Sequence, residues 1–354
     1  MKKILLFIPS LFNSAGTERI STSLANALHE KGYDVDFVVH SSNTESFYKL
    51  HSDINVYSLS LNGNVNIHKL KAAIRLRKLI KHHRYEAIIN VGVACANVTM
   101  LVVPQILGCK VISWEHFSIK GLNFKRRFKH YISTFFSNHT IVLTNADRSA
   151  YPKIFNSKMA VIPNFTDINP LQNISPLSNK VVLACGRLEE EVKRFDLLLK
   201  IWSMVHDELP EWNLRIVGDG DSSLLYDEAK KLGINDSVQF AGRCNDMSRE
   251  YLMSSLFVVT SKYESFSLVI IESKSFGVPV VSFDCPFGPR EIIQNGIDGL
   301  LIENGNIEAF SKAMIRLMKD KEMRLNMGQR AVLDYYDKWS VNKVIDKWLI
   351  ILKD

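Results

Sequence analysis

Residues 3–39 read KILLFIPSLFNSAGTERISTSLANALHEKGYDVDFVV. Lys3 to Pro9 carry a continuous apolar run, Asn13, Ser14, Ala15 and Gly16 follow, and Ile20, Leu24, Ala27 and Leu28 then recur at helical spacing. The reading is strand, loop, helix. Gly32 stops the helix, and Val35 to Val39 form a second apolar strand. Strands that are apolar along their whole length are covered on both faces, which is the condition of a parallel sheet lying between helices.

The same unit recurs down the chain. Ala87 to Val91, Lys110 to Ser113 and Thr140 to Leu143 are expected strands with helical segments between them. From Ile162 to Lys180, Pro163, Pro170 and Pro176 stand among Asn and Ser, the composition of an interdomain linker. Val181 to Cys185, Leu214 to Val217, Val238 to Phe240, Leu256 to Thr260 and Val278 to Ser282 then restart the pattern. The tail from Trp339 to Leu352 is amphipathic through Val341, Val344, Ile345, Trp348 and Leu349, and is expected as a packed helix. The fold class is therefore α/β, with two Rossmann-like doubly wound domains facing across a cleft. Residues 1–165 form the first, 166–338 the second, and 339–354 a terminal helix returning to the first. Ligands of such folds bind at the carboxyl ends of the strands.

The 354 residues are 46% hydrophobic and 23% charged, a globular composition rather than a fibrous or disordered one. No stretch approaches the ~20 apolar residues that span a bilayer. The opening MKKILLFIPSLF is interrupted by Pro9 and lacks a small-residue cleavage site, so a buried strand is the better reading than a signal peptide, and a cytoplasmic protein is expected. Cys95, Cys109, Cys185, Cys244 and Cys285 are scattered without a C-x-x-C pair, which argues against a disulfide framework or zinc site and for reduced core residues. A net charge of +7 favours an anionic surface or substrate.

Three loops carry candidate chemistry. Gly16 precedes the first helix, where backbone N–H groups suit a phosphate or simply close a tight turn. Gly186-Arg187-Leu188 follows a strand, and Lys193-Arg194 comes just after; such cations suit a diphosphate or form a basic turn offset by Glu189, Glu190 and Glu191. In Glu264-Ser265-Phe266-Ser267-Leu268-Val269-Ile270-Ile271-Glu272, one carboxylate lies in a loop and the other on the following helix, with Ser265 or Ser267 as its cap. The two do not share a helical face at ~100° per residue, so they serve different parts of one ligand or flank a core helix. Glu272 stands among Val269, Ile270 and Ile271 and needs a polar partner if buried; a ribose diol would supply one. Two D-x-D triplets exist, Asp34-Val35-Asp36 and Asp219-Gly220-Asp221. The first enters a strand where alternate acids face solvent, and the second sits in a glycine turn, so no metal is expected.

These residues resemble the retaining glycosyltransferases of family 4, of the GT-B fold, a group that includes bacterial cell-surface polysaccharide enzymes. The resemblance runs over nearly the whole chain: A-G-T-E-R at Ala15 to Arg19, W-E-H at Trp114 to His116, I-P-N at Ile162 to Asn164, G-R-L at Gly186 to Leu188 with Lys193, V-G-D-G at Val217 to Gly220, E-x7-E at Glu264 to Glu272, and G-P-R-E-I-I at Gly288 to Ile293. It implies that Arg187 and Lys193 neutralise the donor diphosphate, Glu272 accepts from the ribose and Glu264 holds hydroxyls of the transferred sugar. Phe266, Ser267 and Leu268, with Ser265, would offer groups to phosphate or sugar. Gly16 would approach the phosphate, His116 the sugar at the reacting centre, and Gly242 and Arg243 the region of the base, with Gly218 among the donor-binding residues. The resemblance implies transfer of a hexose or N-acetylhexosamine from a nucleotide diphosphate sugar, UDP favoured, with no cofactor beyond that co-substrate.

The acceptor side is expected at Gly121 to His139, where Lys125, Arg126, Arg127 and Lys129 interleave with Phe124, Phe128, Tyr131, Ile132, Phe135 and Phe136. This basic and aromatic helix suits an anionic lipid surface, as in peripheral association with the inner membrane, or a lipid diphosphate, which matches the polyprenyl-diphosphate-linked saccharide acceptor that the resemblance implies; or it is a core helix with a solvated basic face. The rival functions are a sugar-nucleotide epimerase of the same fold and a non-catalytic basic lipid-binding protein. Nucleic acid is not an expected partner, because the basic residues do not form a stripe over a sheet.

Overall fold

The computed structural model describes residues 2–61, 65, 68–166, 168, 173–188, 191–244, 246–285 and 287–353. The chain divides into two compact units, residues 1–165 with 341–354, and residues 166–340. In the first, β1 (Lys3–Ile8), β2 (Asp34–Val39), β3 (Asn55–Ser58), β4 (Ala87–Val91), β5 (Lys110–Trp114), β6 (His139–Val142) and β7 (Met159–Val161) form a parallel sheet of order β3-β2-β1-β4-β5-β6-β7. In the second, β8 (Val181–Cys185), β9 (Asn213–Val217), β10 (Val238–Gly242), β11 (Leu256–Val259), β12 (Val280–Asp284) and β13 (Gly299–Glu303) form a parallel sheet of order β10-β9-β8-β11-β12-β13. Both sheets are doubly wound α/β layers. Helices cover both faces, so Leu5, Phe7, Ile88 and Val111 are buried in one core and Val182, Ile216, Val258 and Phe283 in the other.

The sheets are wider than the sequence reading. Asn55–Ser58 is a polar, half-exposed edge strand, Met159–Val161 has only three residues, and Gly299–Glu303 sits at the opposite edge of its sheet. Edge positions bury one side only, so their apolar signal is weak. Asp36 corrects the expectation that both acids of the first D-x-D face solvent. It is wholly buried, accepts from Tyr85 Oη at 2.6 Å and Asn55 Nδ2 at 3.0 Å, and stands 3.4 Å from Lys3 Nζ. The Tyr85 phenol is pushed far up by burial and by this carboxylate.

All five cysteines are free. Cys95, Cys109 and Cys285 are core residues, whereas Cys185 and Cys244 are only half-buried, which corrects the reading of the whole set as core. The terminal helix, Val341–Lys353, belongs to the first unit, where Val344, Ile345 and Trp348 are buried and Trp348 meets Trp114 edge-on at 5.0 Å. Lys2 Nζ donates to Leu352 O at 3.0 Å, satisfying a carbonyl at the helix end. Among the described residues no helix is long and apolar enough to cross a membrane.

Candidate active site

In the second unit, β8 lies between β9 and β11, so the chain turns to opposite sides of the sheet after these neighbouring strands. Loops diverging from such a point leave a crevice at the strand ends. Here the two loops are bound to each other. Lys262 N donates to Val192 O at 2.8 Å, Thr260 Oγ1 to Lys193 O at 2.9 Å, and Arg194 Nε to Thr260 O at 2.9 Å. Arg194, with φ 51°, also lies over the Phe283 ring at 5.0 Å, so this cation is a strut rather than a ligand.

That clamp places the Lys193 ammonium 2.7 Å from Glu264 Oε1, an oxygen that also accepts from Ser261 Oγ at 2.7 Å. The two side chains are 20% and 11% exposed, enough shielding to strengthen the pair over a surface ion pair and enough opening for a ligand. Two glycines make room. A Cβ at Gly186 would stand 3.1 Å from Lys193 Cγ and Cδ, and one at Gly218 would fall 1.7 Å from Gly186 O. The ends of β8, β9 and β10 are thereby drawn together, with Gly186 N donating to Val217 O and Gly218 N to Gly242 O. Arg187 and Arg243 are exposed just beyond β8 and β10.

Glu264 leads into the Leu268–Ser275 helix. Its Ncap residue is Ser267, but no side chain caps it, which corrects the cap expectation for Ser265 and Ser267. Ser267 adopts φ 77° and its hydroxyl is buried without a hydrogen-bond partner among the described residues. A left-handed serine costs about 1–3 kcal/mol and persists where its surroundings over-determine it. Gly288 is one such constraint, since a Cβ there would lie 2.8 Å from Phe266 O and 3.2 Å from Glu264 Cβ. Pro286 lies outside the described residues, as do Glu189 and Glu190 of the basic turn.

Glu272 is 1% exposed. Tyr251 Oη donates to its Oε2 at 2.9 Å, so a protein hydroxyl supplies a polar partner that the sequence reading sought only in a ribose. Burial drives the Cys185 thiol far up and the Cys285 thiol to about 12, so neither is a nucleophile at neutral pH. The acids of both D-x-D triplets have other duties. Asp34 and Asp36 face Lys3, while Asp219 accepts from Gly220 N and Asp221 from Ser223 N and Oγ.

In the first unit Gly16 opens the Gly16–Glu30 helix and is exposed. His116 follows β5, is 7% exposed and packs on Trp114 with ring centroids 4.4 Å apart. Burial pushes its pKa down to about 3, so the ring is neutral at physiological pH, and its Nε2 has no hydrogen-bond partner among the described residues. Glu115 Oε2 stands 3.2 Å from His130 Nδ1 and ties the strand end to the Phe124–Phe136 helix. That helix is turned inside out. It buries His130, Ser133 and Thr134, and it exposes Phe124 (75%), Phe128 (50%), Phe135 (64%) and Phe136 (46%) beside Lys125, Arg126 and Lys129.

The family model described as "Glycosyltransferase Family 4" matches residues 14–169, and the one described as "Glycosyl transferases group 1" matches residues 166–333. An "Uncharacterized glycosyltransferase" of Haemophilus influenzae is 33% identical over 99% of this chain and 100% of its own. The chain belongs to the family 4 glycosyltransferases. Also similar to this glycosyltransferase are the "Amylovoran biosynthesis glycosyltransferase AmsD" of Erwinia amylovora, 28% identical over 99% and 100% of the two chains, and a Campylobacter jejuni enzyme. The latter is the "GalNAc-alpha-(1->4)-GalNAc-alpha-(1->3)-diNAcBac-PP-undecaprenol alpha-1,4-N-acetyl-D-galactosaminyltransferase", 27% identical over 98% of each chain. Among solved structures, Anabaena HepE in complex with UDP superposes with a TM-score of 0.81 at 18% identity over 100% of both chains, a likeness of GT-B fold.

Of the residues read from the glycosyltransferase sequence, Lys193 and Glu264 are brought into contact, and Gly218 packs on the loop that carries Arg187. Phe266 and Ser267 are buried, while Ser265 and Leu268 are half-buried in the same turn. Gly16 and His116 belong to the other unit. Ser261, Tyr251 and Thr260 were missed. Each is a lone hydroxyl with no spacing signature, and only the tertiary packing discloses what it touches.

Proposed function

We propose that this glycosyltransferase moves a hexose or N-acetylhexosamine from a UDP-sugar, with retention of configuration, to a saccharide carried on polyprenyl diphosphate, in surface polysaccharide assembly. The observation that carries the reading is the Lys193–Glu264–Ser261 cluster at the sheet's switch point, beside the amino end of the helix that bears Glu272. Departure of a nucleoside diphosphate builds negative charge on its phosphates. In this reading Lys193, Arg187 and the helix dipole stabilise that charge. Glu264, held by Lys193 and Ser261, keeps lone pairs for sugar hydroxyls, and Glu272 takes the ribose. In this reading protein cations do the work of a metal. The neutral His116 ring suits a hydroxyl contact rather than an ion pair. The saccharide and undecaprenyl words in the names of the relatives, and the UDP of the HepE structure, support donor and acceptor class.

The test is thermal melting with UDP, GDP, ADP and CMP, with and without EDTA. UDP at 100 times its Kd should stabilise the protein by about 2.7 kcal/mol, and the shift should survive EDTA. A shift abolished by EDTA would restore a metal to the site, and a shift with GDP alone would change the base.

The acceptor reading extends to the membrane. Exposed phenylalanines flanked by lysine and arginine, in a stretch from His116 to Ala146 without one acidic residue, complement an anionic bilayer in both polarity and charge. Parent protein should float with phosphatidylglycerol vesicles in low salt, and Phe124→Ser/Phe128→Ser/Phe135→Ser should lower the partition coefficient at least about tenfold. Equal flotation of the two proteins would detach the helix from this role.

A further inference from the structure

Lys274 lies two residues beyond Glu272 on the same helix and is wholly buried. Its ammonium donates to Asp298 Oδ2 at 2.8 Å, Ile292 O at 2.8 Å and Asp334 Oδ2 at 2.5 Å. Asp334 Oδ2 also accepts from Trp339 Nε1 at 2.8 Å, and Asp334 Oδ1 from Gln294 Nε2 at 2.7 Å, with Lys338 Nζ 2.5 Å away. Burying these charges costs desolvation that apolar residues of the same volume would avoid, so their gain is a fixed geometry. What they fix is Trp339. Its ring is 7% exposed and meets the Phe266 ring edge-on, with centroids 5.9 Å apart at 61°.

Trp339 ends a five-residue π-helix, Tyr335–Trp339, at the close of this unit. Such turns carry a backbone insertion and are frequent at functional sites. Ser340 is extended, and residues 341–354 belong to the other unit. Tyr335 Oη also bonds Ile168 O at 3.4 Å, near the start of the unit, so both chain entries are tied to this turn. The Lys321–Asp334 helix that leads into it packs tightly on the turn that ends the Glu272 helix, where a Cβ at Gly328 would fall 2.2 Å from Gly277 O.

We propose that Trp339 is a positioning residue for the donor loop: the π-helical turn, anchored through Asp334 to Lys274, holds the Phe266 ring and with it the 264–268 backbone in the arrangement that receives the nucleotide sugar. The proposal rests on the donor reading above. Glu272 and Phe266 are thereby referred to one anchor, one through its own helix and the other through the indole.

The test compares Trp339→Ala with Trp339→Phe in the full chain. Hydrogen exchange needs no ligand: amides of 264–268 should exchange about tenfold faster in Trp339→Ala, while those of 181–185 and 213–217 keep the parent rate. UDP should bind Trp339→Ala about tenfold more weakly, with the donor KM raised and the acceptor KM unchanged. Trp339→Phe, which keeps an aromatic edge but loses the pyrrole ring and its Nε1–H bond to Asp334, should recover both in part. A merely structural tryptophan would lower the melting temperature and leave donor KM and loop exchange alone, and that result overturns the proposal. If Trp339→Ala does not fold, Trp339→Leu takes its place, with the same two readouts deciding. Failure of the parent to bind UDP sinks the donor reading, and the exchange arm still decides whether Trp339 holds the loop.

Discussion

Replacing Lys193 by alanine is expected to lower kcat about 10²–10³-fold, the loss that follows removal of one stabiliser of transition-state charge from a shielded site. The argument is electrostatic. Lys193 Nζ lies 2.7 Å from Glu264 Oε1, and the Thr260 and Arg194 clamps hold its backbone, so the charge is in place before the leaving group develops its own. Alanine removes that charge and leaves Glu264 with the Ser261 hydroxyl. Lys193→Arg keeps the cation and should retain more turnover than alanine. Steady-state kinetics on protein shown to be folded by its melting curve provide the measurement. Parental turnover in Lys193→Ala would remove this residue from the catalytic machinery.

Glu272→Gln is expected to weaken UDP binding by roughly 10- to 150-fold with kcat at saturating donor little changed. The figure corresponds to the ~1.5–3 kcal/mol of a hydrogen bond to a charged group. Glutamine preserves volume and an acceptor for Tyr251 Oη, so the buried tyrosine is not stranded. The carboxylate charge is what is lost, and with it the second strong acceptor for a diol. Calorimetry with UDP and with 2′-deoxy-UDP separates the cases: the variant should no longer distinguish the two nucleotides. Parental affinity for UDP would mean that Glu272 serves only Tyr251 and the core.

The cationic loop and the two glutamates are legible in the sequence because each is a dense run of chemistry-bearing residues after an apolar strand. Their partners are not. Tyr251 reaches Glu272 because the Met247–Leu252 helix packs beside the Leu268–Ser275 helix, and Ser261 reaches Glu264 in the loop that follows β11. Asp36 was misread for a related reason. Strand alternation states which side a residue takes, and the side chosen here is filled by Tyr85 and Asn55 rather than by water.

By itself the sequence determined two parallel α/β sheets and which loops carry charge, since a strand covered on both faces must be apolar throughout and glycine must stand where the chain turns tightly. Helical periodicity likewise shows that residues 124–136 are amphipathic, but periodicity has no sign. Only the tertiary structure decided that His130, Ser133 and Thr134 lie inward, with His130 beside Glu115, and that the phenylalanines lie outward among the exposed basic residues. The same holds for Trp339, Asp334 and Lys274. Contacts between residues far apart along the chain depend on where whole elements pack, and no local pattern encodes them.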